Sequence, residues 1–323
     1  MRRDNQSSVS EFLLLGLPIR PEQQGVFFAL FLAMYLTTVL GNLLIILLIR
    51  LDSHLHTPMY FFLNHLALSD ISLSSVTVPR MLMNMKTHHH SISYIGCILQ
   101  VYFFILFACV DNLLLAVMAY DRYVAICHPL HYTTIMRGDL CLFLAAGCWL
   151  LSCAHGLLHT LLMVQLSFCE ETTIPHFFCD LAAVIKASCS DASLHELVIF
   201  TEGGLFFIVP LSSIFGSYIC MVVTILKVLS IKRISKALST CGSHLVVVSL
   251  YYGTLAGVYF FSSSGTAQDK DAIASVMYMV VLTIIRAQSH ETNGEDSSSS
   301  LDHTNCRRSP EDGESPSDSD VHL

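Results

Sequence analysis

Charge is scarce in this chain of 323 residues: Asp, Glu, Lys and Arg together make up 13%, against 53% hydrophobic residues and a mean hydropathy of +0.60. An ordinary soluble domain carries roughly 25% charged residues, so a water-soluble globule is excluded. No basic stripe with interleaved aromatics occurs, which removes nucleic acid as a partner. No nucleophile stands beside a base at catalytic spacing, no glycine loop has a phosphate-binding pattern, and no Cys/His run has zinc-ligand spacing. The expectation is therefore no enzyme, no catalytic residue, no cofactor and no metal. Internal repeats are also missing, which argues against a solenoid or the repeated halves of a transporter.

The first twenty-five residues also lack the basic, apolar, small-residue pattern of a cleavable leader, so none is expected. The first apolar block, at 26–49, is too long for a signal h-region and is expected to insert and stay. The net charge of −8 is local, because residues 287–323 hold nine Asp or Glu against two Arg. The rest of the molecule is nearly neutral.

What the chain does have is apolar runs long enough to cross a hydrocarbon core of about 30 Å. They predict spans at 26–49, 59–78, 98–119, 140–163, 197–226 and 244–261. A seventh, at 273–285, has only 13 residues before Arg286. Pro58, Pro129 and Pro175 fall in connections, Pro79 is expected to close the second span, and Pro210 sits inside the fifth, where a helix in lipid tolerates it. The expected organisation is an N-terminal tail at 1–25, a membrane domain at 26–285, and an acidic, Ser-rich disordered tail at 286–323.

Lys and Arg counts do not orient the chain, because seven fall on each side up to the sixth span. Two other features place the N-terminus outside. Asn5-Gln6-Ser7 is a glycosylation acceptor. Cys169, Cys179 and Cys189 crowd the connection after the fourth span, with Cys97 at the mouth of the third on the same side, and paired thiols imply an oxidising compartment.

Ionisable groups at bilayer depth cost on the order of 2.5–3.5 kcal/mol each by insertion scales. Asp70, Asp111 and Glu202 are such groups. Asp70 and Asp111 lie midway along the second and third spans, where they could share a cation or a proton. The alternative is a protonated, hydrogen-bonded carboxyl that only aids packing.

The inner end of the third span reads Met118-Ala119-Tyr120-Asp121-Arg122-Tyr123-Val124-Ala125-Ile126-Cys127. Gly41-Asn42 lies in the first span, Leu55-His56-Thr57-Pro58-Met59-Tyr60-Phe61-Phe62-Leu63 enters the second, and Ser217-Tyr218 comes late in the fifth. Lys236-Ala237-Leu238-Ser239-Thr240-Cys241-Gly242-Ser243-His244-Leu245 opens the sixth. From Ser10 to Val281 the chain resembles the olfactory (odorant) receptors, a branch of the rhodopsin-like G-protein-coupled receptors. The resemblance implies an all-α membrane protein, a seven-transmembrane helix bundle. It also implies a multi-pass plasma-membrane location with lipid around the bundle, a small volatile odorant as ligand, and a heterotrimeric G protein of the olfactory, adenylyl-cyclase type as partner.

Residue by residue, Cys97 and Cys179 look like the disulfide tying the third helix to the second outer loop, and Cys169 with Cys189 looks like the additional bridge of this family. The remaining thiols, among them Cys127, Cys141, Cys148, Cys153, Cys220 and Cys241, are expected to act as small apolar residues. Arg122 looks like the arginine that rests against Asp121 and swings toward the G protein on activation, with Tyr123, Tyr218 and Tyr252 as partners of that switch. Lys232, Arg233 and Lys236 sit where outward movement of the sixth span would open a cleft, although a solvated basic face is the plainer account of them. Helical spacing turns Ile105, Ala108, Cys109 and Asn112 inward, and Leu255 and Tyr259 likewise, with Glu202 and Phe206 on the facing wall. His88-His89-His90 could lure a metal but is expected to be a solvated loop.

After Val281 the resemblance stops. The seventh helix lacks the Asn-Pro-x-x-Tyr run of the family and gives way at Leu282-Thr283-Ile284-Ile285-Arg286 to the acidic tail, which looks like a shifted frame or alternative end. The expectation is a truncated or atypical seventh helix, weak surface expression and little signalling. Two competing readings stand beside the receptor: a non-signalling product of a degraded receptor gene, and a small transporter or channel.

Overall fold

A computed structural model of the chain describes residues 10–16, 19–87, 90–168, 173–174, 176–191 and 193–226, together with residues 242, 248, 249, 252 and 253. Long helices dominate it: α1 (Gln24–Leu51), α2 (Pro58–Thr87), α3 (Tyr94–Cys127), α5 (Gly138–Val164) and α8 (Gly204–Leu226). In hydrocarbon no water can satisfy the peptide groups, so an apolar run of this length closes its hydrogen bonds within itself. The 34 residues of α3 reach about 51 Å at 1.5 Å per residue. Among the described residues four helical stretches are long and apolar enough to cross a membrane: Pro21–Leu51, Tyr94–Cys127, Gly138–Val164 and Ser193–Thr224. Helix α2, with 30 residues, is more polar and packs between α1 and α3.

Local chemistry sets the ends. The Ser93 hydroxyl accepts from Gly96 N at 3.2 Å and caps α3. Arg50 in the last turn of α1 and Asp139 in the first turn of α5 complement the helix dipoles. Three short helices complete the described set: α4 (Tyr132–Ile135) after α3, then α6 (Leu181–Lys186) and α7 (Ser193–Val198) after α5. Helix α7 runs through a π-helical segment, Ile199–Gly203, into α8.

Helix α3 is the axis of the bundle, packing on α2, α5 and α8. Its buried residues Val110, Leu114, Leu115 and Ala119 lie at the centre of the main core. Large apolar side chains on the outward faces stay exposed, including Leu40 and Leu47 of α1, Phe143 and Leu150 of α5, and Phe215 and Ile219 of α8. A surface of that kind is adapted to lipid rather than water, and the chain is a multi-pass membrane protein.

Two expectations need correction. Pro79 does not close the second span; it lies inside α2, which continues to Thr87. Proline removes one backbone donor, here the one Ser75 O would have used, and a helix in a membrane tolerates that loss; one residue on, Val76 O accepts from Gln100 Nε2 at 2.9 Å, which ties this stretch of α2 to α3. The helical frame also carries a small sheet that was not foreseen. Strand β1 (Glu11–Leu14) lies between β2 (Ser91–Ser93), antiparallel to it, and β3 (Thr173–Ile174), parallel to it. Phe12 and Leu14 point inward while Glu11 and Leu13 point out, the period of two expected of a half-buried strand. The sheet closes the end of the bundle at which α3 begins. The sixth span, apart from the few residues named, and the seventh lie outside the described residues, as does the acidic tail.

Candidate functional site

Asn112 is the joint on which the site is built. It is buried on α3, and its amide nitrogen donates to Phe206 O at 2.6 Å. That carbonyl is available for a reason written in the sequence. In a regular helix it would accept from the N–H four residues on, but that residue is Pro210, which has none. The carboxamide oxygen of Asn112 accepts from the Tyr252 hydroxyl at 2.5 Å, and the Tyr252 ring stands edge-on to Phe207 at 5.1 Å. One side chain thus ties α3 to α8 and to residue 252. Ile105, Ala108 and Cys109, half-buried, share its face of α3 by their spacing. Tyr252, expected as a partner of the switch, meets Asn112 at this joint, and Asn112 lies ten residues along α3 from Arg122, or about 15 Å.

The Phe206 ring stacks on His155 of α5, with centroids 4.0 Å apart and planes 25° apart. His159, one turn further on, meets His155 edge-on at 4.5 Å. Glu202, on the π-helical segment, brings Oε2 to 3.8 Å from His155 Nδ1. Both histidines are buried, whereas the Glu202 side chain is 42% exposed. Sequence reasoning placed Glu202 and Phe206 on this wall and overlooked both histidines. The signal was available: two histidines at i and i+4 within an apolar span are polar groups at bilayer depth, which need a reason as much as carboxylates do. No zinc pattern was recognised because the third group lies 43 residues beyond His159. Between the two histidines, Gly156 faces Tyr102 of α3. A Cβ there would come to 3.2 Å from the Tyr102 ring and 3.4 Å from the Tyr102 carbonyl, so its absence lets α5 sit close on α3.

Above the joint, Cys97 and Cys179 form a disulfide with a Cα–Cα distance of 5.5 Å. Gln100, one turn into α3, accepts from Cys179 N at 3.0 Å while donating to α2. The loop is thereby held to two helices. Asp180 caps α6 by accepting from Ala182 N and Ala183 N. Cys189 is disulfide-bonded and its amide donates to Ser167 O at 2.9 Å. Its expected partner, Cys169, lies outside the described residues. Cys109, Cys127, Cys141, Cys148, Cys153 and Cys220 are free thiols.

At the opposite end of α3, Asp121, expected to hold Arg122, has a second partner. Consecutive helical residues point about 100° apart. The buried Asp121 carboxylate turns to the following loop and accepts from the Tyr132 hydroxyl at 2.9 Å. Arg122 is close enough for its charge to act on Asp121 without an ion pair between them. Burial first, and the Asp121 charge second, push the Tyr132 phenol upward. Tyr123 turns to His128, with Oη 3.3 Å from Nε2, and Cys127 meets Thr224 of α8 at 3.4 Å. Tyr218 is buried in the main core. Asp70 and Asp111 are both buried, on the neighbouring helices α2 and α3, with Ser69 set against Asp111. Asn5, Lys232, Arg233, Lys236, Leu255 and Tyr259 lie outside the described residues.

Residues 31–287 match the family model described as olfactory receptor. Olfactory receptor 1J4 of Homo sapiens is 67% identical over 285 residues, which is 88% of this chain and 91% of the relative. The chain belongs to the olfactory receptor family. Olfactory receptor 1J21 of Mus musculus is 60% identical over 308 residues, 95% of this chain and 99% of the relative, and Olfactory receptor 1J2 of Homo sapiens is 65% identical over 285 residues. In this olfactory receptor the polar chain from Tyr252 through Asn112 and Phe206 to His155 runs between the third, fourth and fifth spans. The Asp121–Tyr132 contact marks the other end of the same central helix.

Proposed function

We propose that the chain senses a small volatile odorant among Ile105, Ala108, Cys109, Asn112, Glu202, Phe206, Leu255 and Tyr259. Binding there activates a heterotrimeric G protein of the olfactory type and raises cAMP. The observation that carries this reading is the Asn112 joint: a ligand between α3 and α8 must compete with or reinforce the bonds to Phe206 O and Tyr252. A ligand shifts a conformational equilibrium only by binding the two states differently, and these bonds give it something to distinguish. The apolar surroundings with one amide and one phenol suit a molecule of moderate polarity.

At the far end of α3, Asp121, Arg122 and Tyr123 read the change out, together with Tyr218 and the basic residues Lys232, Arg233 and Lys236. The N-terminal strand and the Cys97–Cys179 disulfide share one end of the bundle. Because disulfides persist in oxidising compartments, that end is extracellular and the receptor sits in the plasma membrane with its N-terminus outside.

The test is a cAMP reporter in cells that supply the olfactory G protein, challenged with an odorant panel. A response that disappears in Arg122→Ala at equal surface labelling, and whose half-maximal concentration rises in Phe206→Ala, supports the proposal. Odorant-gated current without nucleotide exchange on the G protein overturns it. A companion form with a complete seventh helix measures how far the atypical C-terminus limits surface expression.

A further inference from the structure

We propose that Arg80 and Asn84, near the sheet-covered end of α2, form a binding site for the carboxylate of a small organic acid, beside strand β2 and separate from the Asn112 joint. Residues four apart on a helix hold their Cβ atoms about 5–6 Å apart on one face, so the guanidinium and the amide can meet one ligand. Asn84 continues the buried stripe of Asp70, Leu73 and Thr77, and it therefore points into the bundle rather than at lipid. One turn below, Val76 O accepts from Gln100 of α3. From Gln100 to Asn112 is twelve residues, or about 18 Å along α3, too far for one small molecule to touch both sites.

Both residues have hydrogen-bonding capacity that the protein itself does not use. Arg80 donates from Nη2 to Ser91 O at the start of β2, while its Nε is buried with no acceptor. Among the described residues Arg80 forms no ion pair. Asn84 is 3% exposed, and neither its amide nitrogen nor its amide oxygen has a hydrogen-bond partner. Buried donors left unpaired are costly, more so on a charged group. A carboxylate supplies both the opposite charge and two acceptor oxygens: one takes the Nε–H of Arg80, the other the Nδ2–H of Asn84. Asn84 Oδ1 is then left for a water or hydroxyl carried with the ligand. Arginine favours such planar anions through its fixed, paired donors, a geometry that a spherical halide does not match. His90, the residue before Ser91, adds a further buried nitrogen without a partner, Nδ1. The hydrocarbon part has suitable neighbours, because Ile92 belongs to the apolar cluster under the sheet with Phe12, Leu14 and Val101. Arg80 is only half-buried, which leaves the site reachable from solvent at that end.

The experiment uses the purified full-length chain in detergent at neutral pH, with hexanoate, hexanol and chloride as probes. The expected result is saturable binding of one hexanoate per chain, with a rise in unfolding temperature that hexanol and chloride do not produce. Affinity should fall at least about tenfold in Asn84→Ala and in Arg80→Gln, since a hydrogen bond to a charged group is commonly worth that much. Arg80→Lys keeps the charge without the fork and should recover only part of the loss. Because Arg80 also holds Ser91 O, Asn84→Asp supplies an independent check. It places a carboxylate of the chain itself beside Arg80, so it should melt no lower than the native chain and abolish hexanoate binding. Absence of saturable hexanoate binding to the native chain, equal stabilisation by hexanol or chloride, or undiminished binding in Asn84→Asp overturns the proposal. Binding is read without signalling or G protein, so this inference and the receptor reading can fail separately.

Discussion

Asn112→Ala should cost this receptor about twice as much in its native background as in Pro210→Ala. In the native chain the substitution removes two interhelical hydrogen bonds, one to Phe206 O and one from Tyr252. Such bonds average about 0.6 kcal/mol in a membrane protein and reach about 1.7 kcal/mol, so the pair is worth about 1–3 kcal/mol. In Pro210→Ala a backbone N–H returns at position 210 and takes the Phe206 carbonyl, leaving only the Tyr252 bond to lose. The two substitutions are therefore coupled by about 1 kcal/mol, or roughly 2–4 °C in Tm. The assay is thermal unfolding of the native chain, both single variants and the double variant in one detergent. A thiol-reactive fluorophore would report the exposure of Cys141 and Cys148, which are free and buried. An equal loss for Asn112→Ala in both backgrounds would refute the assignment of Asn112 as the partner of the carbonyl that Pro210 releases.

Gly156→Val should lower Tm by the cost of overpacking, about 1–3 kcal/mol, and Tyr102→Ala should restore most of it. A Gly156→Val chain that melts like the native one would show that α3 and α5 do not need this close approach. Tyr132→Phe removes the donor to Asp121 and should raise ligand-free cAMP about fivefold, from about 1 kcal/mol for a half-exposed hydrogen bond; unchanged basal signalling at equal surface labelling would count against it. Asp191 is held below its ordinary value of 3.8 by hydrogen bonds from the Ser193 side chain and backbone. A depressed carboxylate contributes at pH values above its unfolded value, and the contribution fades as pH falls through the folded one. The Ser193 amide should therefore keep its hydrogen-exchange protection at mildly acidic pH and lose it only below 3.8, whereas loss of protection already between neutral and mildly acidic pH would contradict this cap.

The spans were legible because lipid leaves an apolar run one way to satisfy its backbone: length and composition placed α1 (Gln24–Leu51) and α5 (Gly138–Val164) closely, whereas α3 runs on to Cys127, past the expected end at 119, and α8 begins at Gly204 rather than at 197. Asn112 and Phe206 were found by spacing, since position on a helix face follows from sequence alone. The reason they meet, a proline four residues after Phe206, was also written there, but Pro210 was read only as a tolerated kink. Other features depend on what a neighbouring element supplies. Helix α2 continues through Pro79 to Thr87, where proline alone predicts an end, because a bundle in lipid tolerates a missing backbone donor. Tyr132 returns on a short helix to reach Asp121 ahead of Arg122. His155 and His159 matter only once α8 and its π-helical turn bring Glu202 across. Strand β1 has four residues, too few for an alternation to stand out from a tail.

That strand occupies the middle of its sheet, with partners at 91–93 and 173–174. Among the first described residues to leave the ribosome, it must wait for a segment made after the fourth span before its last neighbour exists. The extracellular cover is consequently a late product of biosynthesis, and a cargo fused to the start of the chain hangs from the piece that holds the cover together.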